Sequence, residues 1–117
     1  MATWVLSVDA LEESTGSIVR AYGTATVSGT YTTGGDTFSL AHGKLPFSKP
    51  PLFLRAVGIA GFVYQFVKGS TLVNGLMKIF CNTAGGSNAA LGEHTAASVV
   101  AGVTGDTIRW EAAFVRE

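Results

Sequence analysis

The chain offers no segment that could form a long amphipathic helix, and this restricts every other reading. In its place are short runs in which apolar and polar residues alternate. The clearest is TIRWEAAFV (107–115), where Ile108, Trp110, Ala112 and Phe114 alternate with Arg109, Glu111 and Ala113. A period of two marks a strand with one buried face. TWVLSV (3–8) places Trp4, Leu6 and Val8 on one side. IVRAYGTATVS (18–28) places Val19, Ala21, Ala25 and Val27 on one face and Arg20, Tyr22, Thr24 and Thr26 on the other. Further strands are expected at LFLRAVGI (52–59), FVYQFV (62–67), LMKIFC (76–81) and, with a weaker pattern, ASVVAGV (97–103).

Between these runs lie turn residues. The chain has 15 glycines, and Asn74-Gly75 in KGSTLVNG supplies turn chemistry for a hairpin. KLPFSKPP (44–51) holds all three prolines and cannot enter a central strand. ALEE (10–13) and NAALGEH (88–94) could each make one helical turn, both too short for a typical helix. CNTAGGSNAALGEHTAA (81–97) reads as a long loop of small residues. The expected fold is all-β: a small β-sandwich or jelly-roll-like domain of about seven or eight short strands, or else a small closed barrel. The 117 residues suit one domain spanning 1–117, with residues 1–15 set apart as an N-terminal arm.

Charged residues make up 14% of the chain, against roughly 25% in an ordinary soluble domain. So few charges leave apolar or hydroxyl-rich surface over, and burial against other subunits would use it. Net charge is zero. The lysines and arginines are scattered and interleaved with acidic residues, so there is no case for nucleic-acid binding. Cys81 is the only cysteine, which rules out an internal disulfide and fits folding in a reducing compartment. The start, MATWVLSVDALEE, lacks the basic and apolar regions of a signal peptide. The longest apolar stretch (56–67) contains Gln65 and is too short to span a bilayer.

SGTYTTGGDTFSL (28–40) poses the main chemical question. A phosphate cradle needs glycines opening onto a helix, with a lysine in reach. Here no helical period follows. The turn reading is simpler: Gly34 and Gly35 permit positive φ, and Asp36 bonds back to the turn backbone. His42, His94 and Cys81 are isolated, without paired ligand spacing, and Glu93-His94 is the nearest approach to a metal pair. Glu12-Glu13 reads as a solvated turn. No nucleophile motif is present. The sequence therefore gives no enzyme, no metal, no cofactor and no small-molecule substrate.

The order of these features is familiar. A strand ends in Ser-Gly-Thr-Tyr, then Thr-Thr-Gly-Gly-Asp-Thr follows. After the proline loop come LRAVGIAGFVYQFV, the strand MKIF, a loose loop and the final IRWEAAFV. From Ile18 to Val115 this resembles the small β-sandwich structural proteins encoded among the head genes of tailed bacteriophages, many of which carry a Tyr-x-Thr-Gly-Gly-Asp/Glu turn after their first long strand. The segment from Trp4 to Glu13 has no counterpart in the resemblance.

The resemblance implies a capsid decoration (cement) protein. Such a protein sits as a homotrimer on the outer surface of the virion, bound to the major capsid protein, after synthesis in the host cytoplasm. Two contact regions are expected. One is the N-terminal strand, with Trp4, Val5 and Leu6, pairing with a neighbour's sheet edge; the other reading of that segment is an ordinary first strand. The second region is Tyr31, Thr32, Thr33, Gly34, Gly35 and Asp36. A tail-tube or fibre-adaptor protein is the structural alternative. A carbohydrate-binding module is the binding alternative, and it would need Trp4 or Trp110 exposed on a flat face.

Overall fold

The structure is a computed structural model and describes residues 1–13, 17–43, 49–81, 92–94, 97, 99 and 101–115. It is all-β, as the alternation requires. The described residues form eight strands: β1 (Ala2–Glu13), β2 (Ile18–Gly29), β3 (Asp36–Thr37), β4 (Phe53–Val57), β5 (Val63–Val67), β6 (Leu76–Cys81), β7 (Gly92–Glu93) and β8 (Ile108–Val115). All are hydrogen-bonded into one antiparallel sheet of order β1-β2-β8-β4-β5-β6-β3, with β7 also on β6. The sheet curls until its two ends meet. β3 and the 3₁₀ turn Leu40–Gly43 lie against β1, and the Ala2 N–H donates to the Asp36 carboxylate at 3.1 Å.

Residues 1–15 are not a free arm. Ala2–Glu13 is the first strand, registered against β2 from Ala2↔Gly29 to Glu13↔Val19; residues 14–15 lie outside the described set. The expected helical turn at 10–13 is also strand, because pairing with β2 overrides a weak local preference. A bulge between Val8 and Ala10 sets Asp9 outside the ladder. It shifts the alternation by one residue: Trp4, Leu6 and Val8 pair with Val27, Ala25 and Gly23, and after the bulge it is Leu11 that pairs with buried Ala21, though Leu11 itself stays exposed near the strand's end. Gly23 faces this bulge. A Cβ there would overlap the Ser7 carbonyl oxygen and lie 2.8 Å from the Trp110 ring, so only glycine allows β1 to pass so closely.

Two other expectations change. Residues 97–103 are not a strand: among the described part, Ala101–Thr104 is a single helical turn that buries Val103. The hairpin expected around KGSTLVNG forms, β5 pairing with β6 from Val63↔Phe80 to Val67↔Leu76, but without a left-handed Gly75, which is absent from the positive-φ glycines Gly29, Gly34, Gly35 and Gly61. Asn74 organises the loop with its side chain, its Oδ1 accepting the Thr71 N–H at 2.8 Å. Gly75 is needed because Phe66 lies 2.5 Å from where its Cβ would be. Of the helical turn expected at 88–94, residues 88–91 lie outside the described set, and Gly92–Glu93 is strand, not helix, because it pairs with β6.

The core fills the inside of the curl. Trp4 meets Phe38 and Tyr64 edge to face, at centroid distances of 5.3 and 5.9 Å, and Phe38 meets Phe66 at 6.0 Å. Trp110 is buried with its indole N–H donated to the Thr24 carbonyl. Trp4 has no such partner: its indole nitrogen is buried with no hydrogen bond among the described residues. An orphaned buried donor costs about 1–3 kcal/mol. Trp4→Phe should therefore lose far less stability than its size change suggests, while Trp4→Ala should lose about 3–5 kcal/mol. Urea midpoints of the two variants test this; equal losses would show that the indole nitrogen is satisfied.

Candidate functional site

The turn after β2 is built from the side chains around it. Gly34 and Gly35 hold φ of 95° and 104°, and the Gly35 N–H closes the turn on the Thr32 carbonyl at 2.9 Å. Asp36 is buried and accepts the Thr32 N–H at 3.0 Å with one oxygen, the Ala2 N–H with the other. Opposite it stands Glu93 on β7. Its Oε2 accepts the Tyr31 hydroxyl at 2.5 Å and the Gly34 N–H at 2.6 Å. The hydrogen bond from Tyr31, and then the Gly34 amide, hold the Glu93 carboxyl below its ordinary range. Burial, followed by the bond to Glu93, pushes the Tyr31 hydroxyl well above its own.

The six residues of this turn thus divide. Tyr31 and Asp36 are buried, Gly34 and Gly35 half-buried, and Thr32 and Thr33 exposed. Only the two threonines and the glycine backbone can meet a partner. On β1, Trp4 is 2% exposed and Leu6 is buried, so Val5 alone of the three faces outward. Tyr22, on the polar face of β2, is half-buried and lines a groove of about 240 Å³ with Asp9, Arg55, Val57, Arg109 and Glu111. Arg55 Nε pairs there with Glu111 at 2.7 Å, across β4 and β8.

Asp106 escaped the sequence reading. It precedes β8 and is buried. Its Oδ1 accepts the Ile59 and Ala60 N–H groups at 2.8 and 3.0 Å, and its Oδ2 accepts the Tyr64 hydroxyl at 2.7 Å. Burial raises the carboxyl's pKa, but the Tyr64 hydroxyl and the amides of Ile59, Ala60 and Thr107 together outweigh it and hold the group below its ordinary range. Burial, then this bond, raises the Tyr64 hydroxyl. A Cβ on Gly58 would overlap the Asp106 carboxylate. One buried charge thus fixes the β4–β5 loop, whose signal in the sequence was only Gly-Asp before a strand.

Among the described residues no three His, Cys, Asp or Glu side chains cluster to hold a metal. His94 is buried against the Tyr31 ring, with its backbone N–H donated to the Ile79 carbonyl at 2.7 Å. Cys81 is half-buried. The side chains of Glu12, Glu13 and His42 lie outside the described set. No described helix is long and apolar enough to cross a membrane. No protein-family model matches the chain, and neither curated proteins nor solved structures give a significant match.

The carboxylates fix the sign of the pH response. Glu93 and Asp106 are depressed in the folded state, so their contribution is complete above the unfolded carboxylate range, about pH 4–5. It is lost as pH falls through their folded values. Tyr31 and Tyr64 are raised, so theirs is complete below about pH 10 and lost as pH rises further. Stability should be flat from about pH 6 to 9 and fall on both sides. Asp106→Asn should cost about 2–3 kcal/mol at neutral pH and flatten the acid limb, read from urea midpoints between pH 3 and 7. An unchanged acid limb would remove Asp106 from this role.

The glycines make a second test. Gly34→Ala adds only backbone strain, since nothing lies within 4 Å of its Cβ position, whereas at Gly35 the Met77 carbonyl oxygen is 3.0 Å away. Gly34→Ala should cost about 1–2 kcal/mol, and Gly35→Ala more. Equal melting temperatures for the two would contradict the contact at Met77.

Proposed function

We propose that this chain is a structural virion protein: a capsid decoration protein that docks on the outside of a phage head and holds the major-capsid lattice together. The observation that carries the reading is the outer face of the sheet. Val5, Phe53, Val57, Val63 and Val115 stand exposed on strands, and the described residues hold a single salt bridge between side chains. A rigid, ion-poor sheet with apolar side chains outside suits burial against other subunits. The resemblance to phage head proteins rests on the Thr-Tyr-Thr-Thr-Gly-Gly-Asp turn and the order of the segments along the sequence. Against a carbohydrate-binding module stand both tryptophans, each 2% exposed, which leaves no indole to stack on a sugar.

The mechanism is linkage. A protein that binds only the assembled lattice stabilises it, by roughly 2.7 kcal/mol per site at a hundred times the dissociation constant. Several linked contacts per oligomer raise avidity without large individual footprints. The chain contributes a shape fixed before docking: Glu93 and Asp36 hold the threonine turn, and Asp106 holds the β4–β5 loop, so little order is lost on binding.

The test is co-sedimentation with expanded shells of the parent particle assembled without this protein. Saturable binding, and a shell that melts at higher temperature when loaded, are expected. A protein that stays in the supernatant at tens of micromolar removes the decoration reading, and density along the tail in electron micrographs would replace it with the tail reading.

A further inference from the structure

Asn74-Gly75 is the one Asn-Gly pair in the chain; the other asparagines, Asn82 and Asn88, precede Thr83 and Ala89. The pairing has a chemical consequence. A main-chain nitrogen can attack the carboxamide carbon of an asparagine just before it, and a side chain on the attacking residue crowds that approach. Glycine carries none. The fold places this pair in the loop between β5 and β6, with the Asn74 side chain exposed to water.

The loop holds both members of the pair. The two polar atoms of the Asn74 carboxamide are engaged: Oδ1 accepts the Thr71 N–H at 2.8 Å, and Nδ2 donates to the Ser70 hydroxyl at 2.7 Å. The carboxamide lies folded over Gly69, where a Cβ would overlap Oδ1. Gly75 is held by the core instead. Its carbonyl accepts the Phe38 N–H at 2.8 Å, and the Phe66 ring fills the space where its Cβ would stand. Between them the Leu72 carbonyl accepts the Leu40 N–H at 3.2 Å, and the Leu72 side chain is buried. Electrophile and nucleophile are thus tied to different partners.

We infer that Asn74 is a site of spontaneous covalent modification and that the fold gates it. The Gly75 nitrogen gives its proton to water and bonds to Asn74 Cγ. The Cγ–Nδ2 bond breaks, the nitrogen leaves as ammonia, and a cyclic imide remains. One water then opens the ring. Opening at the side-chain carbon gives aspartate; opening at the main-chain carbon gives isoaspartate, in which the chain runs on through the side chain. In sum, a carboxamide and a water become a carboxylate and ammonia. While Ser70 and Thr71 hold the carboxamide and Phe38 holds Gly75, reaction waits for the loop to open locally. The products differ in their effect. Aspartate keeps an oxygen for the Thr71 N–H, whereas isoaspartate lengthens the main chain just before Gly75, where the Phe38 bond and the Phe66 ring leave no slack. Either adds negative charge to a chain whose net charge is zero. The inference stands apart from the decoration role.

The test follows the full chain at neutral pH and physiological temperature, by intact mass and by peptide mapping that separates aspartate from isoaspartate. Wild type unfolded in guanidinium should lose the Asn74 carboxamide many times faster than folded wild type, and ahead of Asn82 and Asn88. Ser70→Ala removes one exposed anchor. With circular dichroism like wild type, it should react roughly 2- to 10-fold faster when folded, the factor that one hydrogen bond sets in an opening equilibrium, and at the wild-type rate in guanidinium. Folded wild type that reacts as fast as the unfolded chain would overturn the gating, and so would a folded Ser70→Ala protein that keeps the wild-type rate. Modification spread evenly over Asn74, Asn82 and Asn88 in the unfolded chain would overturn the site itself.

Discussion

Asp36 is where the sheet meets itself. One carboxylate oxygen takes the Ala2 N–H of β1, the first strand of the path, and the other takes Thr32 in the turn leading to β3, the last. An open sheet of this size would leave β1 as a bare edge along its whole length. Curling brings β3 and the 3₁₀ turn against it and encloses the aromatic cluster of Trp4, Phe38, Tyr64 and Phe66. The start of the chain is then part of the wall, and the threonine turn is a fixed corner of it.

The same device recurs twice. Glu93 clamps the other side of that corner, and Asp106 clamps the β4–β5 loop. In each case a carboxylate takes a tyrosine hydroxyl and backbone N–H, one amide at Glu93 and two at Asp106, that would otherwise be unsatisfied inside the fold. A chain with 8 acidic residues thus uses three of them to shape loops, with no basic side chain hydrogen-bonded to those three among the described residues. The surface is poor in charge partly because of this use.

Much of the fold was legible because period-two alternation is a local property. β2 buries the face the pattern assigns, β8 does so too but also buries Ala113 from the face read as outward, and the bend at Gly34-Gly35, with Asp36 bonding back to Thr32, has the geometry its residues suggest. The misses share a cause: each was decided by a partner distant in sequence. Tyr31 sits among hydroxyl residues and looks like surface, but Glu93, 62 positions away, draws it inside. ALEE has helical leanings, but β2 supplies a ladder for it, and the Asp9 bulge hides the change of face. Ile59 reads as the end of a strand; the strand stops at Val57 because Gly58 must pass the Asp106 carboxylate.

These long-range clamps also bear on what the surface can do. An exposed apolar side chain on a mobile loop would lose order on docking, and each immobilised side chain costs on the order of 1 kcal/mol. The backbones at Ile59 and in the threonine turn are already fixed in the folded chain, by carboxylates that accept their N–H groups. Docking therefore returns more of the area it buries. The dependence on charge means the docking geometry and the stability of the fold respond together to acid.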